Sequence, residues 1–420
     1  MFRLLRLSQE TPPRRSATAP QICIIDSTMS RSSDSLFYFV PYSFGGSADY
    51  SRCQIQSLLD EGVSLTVLAP SSFTLPLHPN CRILPPLIER KPSGGRLFSR
   101  ATKFICETLA AYRQLDRALT KSGARTVLLG DFSEYLSPLW AGPFLKHQTR
   151  GVRFSCILHD PVRNFQRGPE FWHRLSLSKA LSFLDVVFVH GNGLTSIEKS
   201  PLPIPRKVVI PHGVYASEQA VPDRTSARYV LGLPDHAKVF LSFGYIRDDK
   251  NLDAFIRAMP SIPDAFLVVA GEVISGTQRG IAYYKELAGQ SGVSARVVWH
   301  TQHIPSDDVP FLFAAADCVL LLYAKTFHSM SGVFSSAIYF GCPCLASDGG
   351  GPLTDGIRNY RLGVECPALD PEAIACAART LIQSPPEADW EGYRHDHSWE
   401  ENARRVAAAL GLENTLLHHS

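Results

Sequence analysis

The chain has 420 residues, which at about 100–200 residues per domain predicts two or three domains, most simply two. Hydrophobic residues make up 45% and charged residues 19%, which excludes wholesale disorder, and average glycine and proline usage excludes collagen-like and low-complexity chains. No apolar run approaches the roughly 20 residues that span a bilayer. Residues 1–20 lack the apolar core of a signal peptide, so we expect a cytoplasmic protein. We expect these residues to be a disordered extension or the result of a start codon assigned too early, and a weak targeting sequence is the alternative.

The net charge of +3 hides an asymmetry between the two halves of the chain. Residues 1–205 carry 24 basic and 15 acidic side chains, a balance of +9, whereas the remaining 18 basic and 24 acidic side chains give −6. The basic half suggests an anionic partner, such as a membrane surface, a lipid-linked phosphate or nucleic acid. A charge fluctuation over solvated faces is the alternative.

Cysteine and histidine spacing does not predict a metal site. The ten cysteines are scattered without a C-x-x-C pair, and Cys342 and Cys344 flank a proline in an apolar stretch that is typical of buried positions. His300 and His303 have H-x-x-H spacing, but they lie at a predicted strand end, where side chains three apart do not share a face.

Short apolar runs rich in β-branched residues alternate with helical patterns in the first half, which predicts a parallel sheet covered by helices. The predicted helices include 97–122 and 170–183. Residues 22–26 form an additional candidate edge strand, and the polar segment 214–236 is predicted to be a linker. The predicted strands are 35–43, 64–70, 126–131, 154–160, 185–191 and 207–213.

The same alternation restarts after residue 236. A final helix near 398–411 is placed to cross back onto the first domain. We therefore predict an α/β protein with two doubly wound Rossmann-like domains facing a cleft, over 21–215 and 216–390, followed by a returning helix and tail over 391–420. The predicted strands are 239–246, 265–271, 296–300, 318–324 and 343–347, and the predicted helices lie near 251–259, 278–290, 306–316, 331–340 and 371–383.

Two candidate ligand-binding positions follow strands of the first half. Gly45 and Gly46 come after the first strand and before a helix, where their amides can approach an anion, although a tight turn also needs glycine. His159 ends the fourth strand, at the sheet edge where ligands bind. A histidine there suits acid–base work or a hydrogen bond to a sugar hydroxyl; a purely structural role is the alternative.

Two candidate phosphate-binding segments lie in the second half. Arg247 and Lys250 follow its first strand and are suited to neutralising a leaving diphosphate, with a solvated turn as the alternative, and Asn251 or an adjacent aspartate is a candidate helix cap. Ser329, Ser331 and Gly332 open a predicted helix whose amides can bind phosphate oxygens. The glycines at 349–351 predict a flexible loop over the site.

The motifs GYIRDDKNL, FLVVAGE, VVWHTQHIP, FAAADCVLLLY, SGVFSSAIYFGCPCLASDGGG and GVECPALDPEAIACAARTLI, in this order over 239–383, resemble the GT-B glycosyltransferases of family 4, the glycosyl transferases group 1. PYSFGG, DEGVSLTVLAP, LHD, IPHGV and SWEENA extend the resemblance more weakly over the rest of the chain.

The resemblance implies that the second domain binds a nucleotide-diphosphate sugar beside Gly244. The family's phosphate-binding lysine matches Lys250, while its arginine position holds Tyr245, so that Arg247 would substitute. By the same resemblance, His159 faces the sugar. The donor-binding positions implied elsewhere are Gln302 and His303 for the nucleobase, with Ser329, Ser331, Gly332 and Val333 around the phosphates.

The chain departs from the family at the two glutamates that usually precede the G-x-P motif. Counted back from Gly341, their positions hold His328, which would face the transferred sugar, and Ser336, which would face the ribose. Neither residue is a carboxylate, which puts the identity of the donor and turnover in question.

The resemblance therefore implies a metal-independent hexosyltransferase without a cofactor. It would transfer a hexose to a polysaccharide, glycolipid or lipid-linked acceptor and retain the configuration of the anomeric carbon. Peripheral contact with an anionic membrane at its inner face is a further expectation, and nucleic acid is not expected as a partner. The main alternative is a GT-B-fold binding or scaffold protein with impaired catalysis. A two-domain NAD-dependent enzyme is a third reading, but the chain lacks the G-x-G-x-x-G that it requires.

Overall fold

A computed structural model describes residues 35–43, 45–87, 97–131, 133–160, 162, 169–193, 205–216, 219–273 and 279–412, with residues 97–101 described by backbone alone. These residues belong to one compact unit. The predictions for residues 1–20 and for a strand at 22–26 lie outside the described residues.

Seven parallel strands form the sheet of the first half, in the order β3-β2-β1-β4-β5-β6-β7. β4 lies at its centre, and all four of its side chains are buried, as expected for a strand covered on both faces. The strands are β1 Leu36–Phe39, β2 Leu65–Leu68, β3 Cys81–Ile83, β4 Thr126–Leu129, β5 Arg153–Ile157, β6 Val186–Val189 and β7 Arg206–Val209. The helices are α1 Gly46–Asp60, α2 Leu97–Ser122, α3 Ser137–Trp140, α4 Gly142–Gln148 and α5 Glu170–Leu181.

Six parallel strands form the second sheet, in the order β10-β9-β8-β11-β12-β13. The strands are β8 Lys238–Phe243, β9 Ala265–Ala270, β10 Val297–His300, β11 Cys318–Leu321, β12 Cys344–Ser347 and β13 Gly363–Cys366. The helices are α6 Arg224–Leu231, α7 Leu252–Ala258, α8 Ile281–Gln290, α9 Val309–Ala315, α10 Gly332–Tyr339, α11 Pro352–Asn359, α12 Pro371–Gln383, α13 Trp390–Asp396 and α14 Trp399–Leu410. The two-sheet α/β architecture predicted from the sequence is confirmed.

The linker predicted over 214–236 is wrong for its centre, which forms helix α6. The Asp223 side chain accepts a hydrogen bond from the Ser226 amide and caps the helix start, and Gly232 ends the helix in the left-handed conformation. Pro222 and Pro234 therefore flank the helix instead of marking an extended linker. The buried Arg228, paired with Asp317 at 2.7 Å, holds it against the second sheet.

Several other elements differ from their predicted form. The edge strands β3 and β13 and the helices α11 and α13 had no predicted counterpart, because each is short. The loop predicted at 349–351 leads directly into α11, for which Gly351 is the capping residue. The strands of the first sheet end two to four residues earlier than predicted, so residues such as His159 and His190 lie beyond the hydrogen-bonded ladder.

The last helix, α14, packs on α1 of the first half. Ala403, Val406, Ala407 and Leu410 join the buried core of the first sheet. Asn402 is fully buried: it donates to the Tyr50 hydroxyl at 2.7 Å and to the Pro211 carbonyl at 2.6 Å, and it accepts from Gln54 at 2.7 Å. None of the described helices combines the length and the apolar character that a membrane span requires.

Candidate functional site

A cavity of about 240 Å³ lies between the carboxyl-terminal ends of the first sheet and loops of the second half. The first half contributes residues that follow β5 and β6, and the second half contributes the segment before α10 and the glycines before α11. The lining residues are Leu158, His159, His190, Gly191, Gly193, His328, Ser329, Met330, Gly349, Gly350, Gly351 and Pro352. Ligands of open α/β sheets bind at this edge.

Helix α10 begins close to the cavity. The Ser331 hydroxyl accepts from the Phe334 amide at 3.4 Å and is held by the Tyr323 hydroxyl at 2.8 Å. Gly332, the first helical residue, is exposed, and a methyl group added there would lie 3.8 Å from the Tyr215 ring. The start of a helix combines unpaired amides with the positive end of the helix dipole, which favours an anionic ligand.

The Lys250 ammonium lies beside this helix start. A methyl group added at Gly244 would lie 3.5 Å from both Lys250 Nζ and Val333 Cγ2, which places the lysine and the first turn of α10 against the same glycine. Gly244 has φ +78°, a conformation that favours glycine. We refer to Gly244, Lys250, Ser331, Gly332 and Val333 as the phosphate cradle.

Lys250 is neither a solvated turn residue nor paired with a carboxylate. Its Nζ donates to the Phe243 carbonyl oxygen at 2.6 Å. Burial, followed by the neighbouring Arg247 guanidinium, lowers the pKa of Lys250 to about 7. The fold disfavours the charged form of Lys250, and a bound anion would stabilise that form.

Arg247 and Asn251 lie near Lys250, but their side chains do not make the contacts expected from the sequence. Arg247 pairs with Asp249 at 3.0 Å, so it reaches a phosphate only if it leaves or shares that carboxylate. Asn251 occupies the cap position of α7, but its side chain makes no capping bond and donates instead to the Leu322 carbonyl at 2.9 Å. Its predicted capping role is wrong for the side chain, because φ +47° turns the backbone into the left-handed region.

His159 lies in the cavity wall with one ring nitrogen engaged. Its Nε2 is 3.0 Å from the Gly130 carbonyl oxygen, and its ring packs edge-on to Tyr50. Because a carbonyl only accepts, Nε2 carries a hydrogen, and in the neutral form of the ring the lone pair is then on Nδ1. The next residue, Asp160, accepts from the Ser329 hydroxyl at 2.6 Å and so joins the two halves across the cleft.

The two residues at the family's glutamate positions have different surroundings. His328 lines the cavity beside Gly351, whose added methyl group would lie 3.6 Å from its Cα. The Ser336 hydroxyl donates to the Gly332 carbonyl at 3.1 Å, within its own helix. Ser336 is thus near the cradle, but its short side chain is occupied by the helix backbone.

The remaining predicted positions follow other strands of the two sheets. Gly45, with φ +84°, precedes α1 and is exposed together with Gly46, so the first turn of that helix is open. Gln302 and His303 are exposed in the loop after β10 and do not line the cavity. Just before them, burial lowers the pKa of His300 from its ordinary value.

Sequence reasoning missed a buried polar cluster beneath the cavity. His190 and His212 lie with His159 around the ring of Tyr50, with centroid separations of 4.8–5.3 Å, and Trp399 closes the cluster at 5.0 Å. We refer to His159, His190 and His212 as the histidine cluster. His190 ends a predicted strand as His159 does, and the same rule would have found it. Over the described part of the chain, no group of His, Cys, Asp or Glu residues is arranged to hold a metal ion.

The family model of the glycosyl transferases group 1 matches residues 223–406. The lipopolysaccharide core biosynthesis mannosyltransferase LpsB of Rhizobium meliloti is 27% identical over 49% of this chain and 61% of its own. The D-inositol 3-phosphate glycosyltransferase of Mycobacterium tuberculosis is 30% identical over 44% of this chain and 40% of its own. The chain thus spans less than two thirds of the length of these curated relatives.

Solved structures resemble about nine tenths of the chain at low identity. Anabaena Alr3699/HepE in complex with UDP has a TM-score of 0.66 and 14% identity over 90% of this chain and 99% of its own. Sucrose-phosphate synthase from Thermosynechococcus elongatus has a TM-score of 0.60 and 18% identity over 91% and 96%. Residues 223–406 therefore match the glycosyl transferases group 1 family, and the described residues have the two-domain GT-B fold of these solved structures.

Proposed function

We propose that the protein transfers a hexose from a nucleotide-diphosphate sugar to a polysaccharide, glycolipid or lipid-linked acceptor, with retention of configuration. The family match over the second half supports the donor, and the names of relatives support glycan synthesis. Alr3699/HepE was solved with UDP and with UDP-glucose, which makes uridine nucleotides the first donors to test.

The observation that carries the proposal is the position of the phosphate cradle beside the cavity. The start of α10 and the Lys250 ammonium meet at Gly244, and His328 and Ser329, just before that helix, line the cavity. A diphosphate held on the cradle would direct its sugar towards the cavity. The same donors, Lys250 and the amides at the start of α10, would then bind the diphosphate and stabilise it as the leaving group.

In the proposed reaction, the bond between the anomeric carbon and the diphosphate oxygen breaks, and a bond to the acceptor oxygen forms on the same face. Negative charge grows on the leaving diphosphate, where Lys250 and the amides of α10 stabilise it, and Arg247 adds to them if it is released from Asp249. The proton lost by the acceptor hydroxyl passes to the leaving phosphate oxygen. We propose that these groups suffice without a metal or a cofactor.

We also propose peripheral contact with anionic membranes at the cytoplasmic face. The first half exposes apolar side chains on two packed helices: Leu139 on α3 is 53% exposed, and Phe171 on α5 is 68% exposed. Arg174 and Lys179 are exposed on the same helix α5. Apolar side chains among basic ones suit the boundary between lipid headgroups and chains.

The test separates nucleotide binding from transfer. We expect thermal-shift screening to identify a stabilising nucleoside diphosphate, and product analysis with its sugars to show transfer with retained anomeric configuration. Lys250→Ala should lower transfer by at least roughly 100-fold, because charge stabilisation at one such position contributes ~3 kcal/mol. Lys146→Ala, at an exposed position on α4, is the matched control and should retain full activity. Near-normal transfer by Lys250→Ala would exclude the cradle as the leaving-group site.

The alternative is a binding or scaffold protein with this fold, and the Ser336 contact favours it. A serine whose hydroxyl is bonded to its own helix at 3.1 Å is a poorer partner for ribose than a glutamate. This alternative predicts that the nucleoside diphosphate binds while neither hydrolysis nor transfer of any nucleotide sugar is detected. Transfer above the Lys250→Ala background would dismiss it.

A further inference from the structure

His190 lies at the wall of the cavity, one residue beyond β6. Its Nε2 atom is buried and has no hydrogen-bond partner among the described residues. A buried polar atom without a partner costs roughly 1–3 kcal/mol. Because His190 lines the cavity, a ligand bound there is a candidate partner for this atom.

The other ring nitrogen fixes which hydrogen-bonding role Nε2 plays. Nδ1 of His190 is 3.3 Å from the Ile210 carbonyl oxygen. A carbonyl oxygen only accepts, so Nδ1 carries the hydrogen and the neutral ring leaves a lone pair on Nε2. A partner for Nε2 must therefore be a donor.

The surroundings of His190 keep it neutral. Burial is the main cause that lowers the pKa of His190 well below its ordinary value, and the neighbouring His212 and His159 add to the effect. The groups that face it are His159 after β5, His212 after β7 and the Tyr50 ring of α1, and none is an acid. The imidazole thus remains an acceptor through Nε2 at neutral pH.

Five glycines line part of the cavity near His190. Gly191 and Gly193 follow it, and Gly349, Gly350 and Gly351 face them from the second half. A methyl group at Gly191 would lie 2.9 Å from Pro352, so glycine is needed there for the two halves to approach. Because glycine has no side chain, these five positions leave room beside His190 for a compact ring.

We propose that His190 Nε2 accepts a hydrogen bond from a sugar hydroxyl bound in the cavity and thereby selects sugars that carry a hydroxyl at that position. The inference rests on the proposed function, because it takes the cavity as a sugar site. His159 presents a second acceptor, Nδ1, from the neighbouring strand end. The shared chemistry is a sugar hydroxyl, whether it belongs to the transferred hexose or to the acceptor.

The kinetic test compares variants that separate the two ring nitrogens. His190→Asn retains a donor near the Nδ1 position and removes the acceptor, and we expect kcat/KM for transfer to fall at least roughly tenfold. His190→Gln can place an amide oxygen near the Nε2 position and should remain within about threefold of the wild type. A rise in KM for the donor alone assigns the hydroxyl to the hexose, and a rise for the acceptor alone assigns it to the acceptor.

The matched control is His212→Asn, because His212 belongs to the same histidine cluster but does not line the cavity. Its kcat/KM should stay within about threefold of the wild type, a change too small to reflect the loss of a substrate contact. An equal loss in His212→Asn, an equal loss in His190→Asn and His190→Gln, or no loss in His190→Asn would each overturn the proposal.

A second readout needs no transferase activity and separates failure of this inference from failure of the proposed function. Long-range ¹H–¹⁵N spectra of the full chain, assigned with His190→Asn, should show His190 in the Nδ1–H tautomer. Titration with free glucose and mannose, up to their solubility, should move the Nε2 resonance for at least one of them. An Nε2–H tautomer, or a resonance that neither sugar moves, would overturn the inference even if transfer is demonstrated.

Discussion

The two halves of the molecule share an architecture but differ in how their chemistry is encoded. In the second half, the phosphate cradle consists of glycines, a capping serine and a lysine that follow strands and begin a helix. In the first half, the corresponding edge carries the histidine cluster, packed on Tyr50 and closed by Trp399 of the returning helix. The family model matches the second half and the returning helix and stops short of the first sheet.

The difference follows from the ligands that each half is proposed to hold. A diphosphate needs backbone amides and a cation at a helix start, and those needs dictate residue types and their order along the chain. A sugar hydroxyl needs only an acceptor or a donor at the right place, and many side chains provide one. The first half can therefore line the cavity with a histidine, His190, whose tautomer is set by residues that are distant in sequence.

The largest effect is expected when the buried hydrogen-bond network of Asn402, which joins α14 to the first half, is disrupted. Asn402→Ala removes three hydrogen bonds to Tyr50, Pro211 and Gln54 and leaves buried polar groups unpaired, so the free energy of unfolding should fall by about 3 kcal/mol. Urea denaturation measures this loss.

The control for that network is Arg404→Ala on the same helix. Arg404 makes only exposed ion pairs with Glu401 and Glu61, so its loss should change stability by less than about 0.5 kcal/mol. Equal destabilisation by both variants would mean that α14 is held by its helix propensity and apolar face and that the polar network contributes little.

The sequence offered more candidate site residues in the second half than in the first, because the features of a phosphate site are local in sequence. Lys250, Ser331 and Gly332 could be named as candidates because a glycine turn, a capping serine and a cation are local features. The tautomer of His190 depends on the Ile210 carbonyl, and the partners of Asn402 are more than 190 residues away in sequence, so no local pattern reports them. Helix α6 was missed because its flanking prolines were taken as parts of one linker.

The second effect tests the charge of the phosphate cradle through pH. The unfolded value of the Lys250 pKa is 10.5 and the folded value is about 7, so the unfolded chain binds more protons between these values and stability rises with pH across that window. A bound diphosphate raises the folded pKa, so binding takes up a proton above pH 7. Affinity for a nucleoside diphosphate should fall roughly 15-fold between about pH 7 and pH 8.5.

Calorimetry in two buffers of different ionisation enthalpy measures this proton uptake directly. At about pH 8.5 we expect nearly one proton per nucleotide in the wild type and none in Lys250→Met. Lys250→Met should also lose the rise in stability above pH 7. Undiminished uptake in that variant would assign the proton to another group and would leave Lys250 outside the anion site.

The third effect sharpens the departure from the family at Ser336. A glutamate at this position reaches beyond the helix backbone that the serine hydroxyl now contacts, and its carboxylate can accept from both ribose hydroxyls. Ser336→Glu should therefore raise affinity for the nucleoside diphosphate about tenfold, as a charge-assisted hydrogen bond contributes ~1.5 kcal/mol or more. Ser336→Gln is the control for length and should give a smaller gain. No gain with glutamate would place the ribose away from α10.

The smallest effect returns to the first half and its proposed contact with membranes. Arg174 lies on α5 between the exposed Phe171 and Leu175, and a basic residue near an anionic surface contributes ~1 kcal/mol, so Arg174→Gln should weaken partition to phosphatidylserine vesicles about fivefold at low salt. Arg257→Gln removes the same charge from an exposed position on α7 of the second half and should leave partition unchanged. Salt should weaken the wild-type interaction, because exposed charges separated by more than a Debye length are screened.

If both variants lose partition equally, net charge alone brings the chain to lipid, and the charge asymmetry between the halves does not determine membrane contact. If the wild type sediments equally with phosphatidylcholine and phosphatidylserine vesicles, the basic first half must face another anion, such as the phosphate of its acceptor.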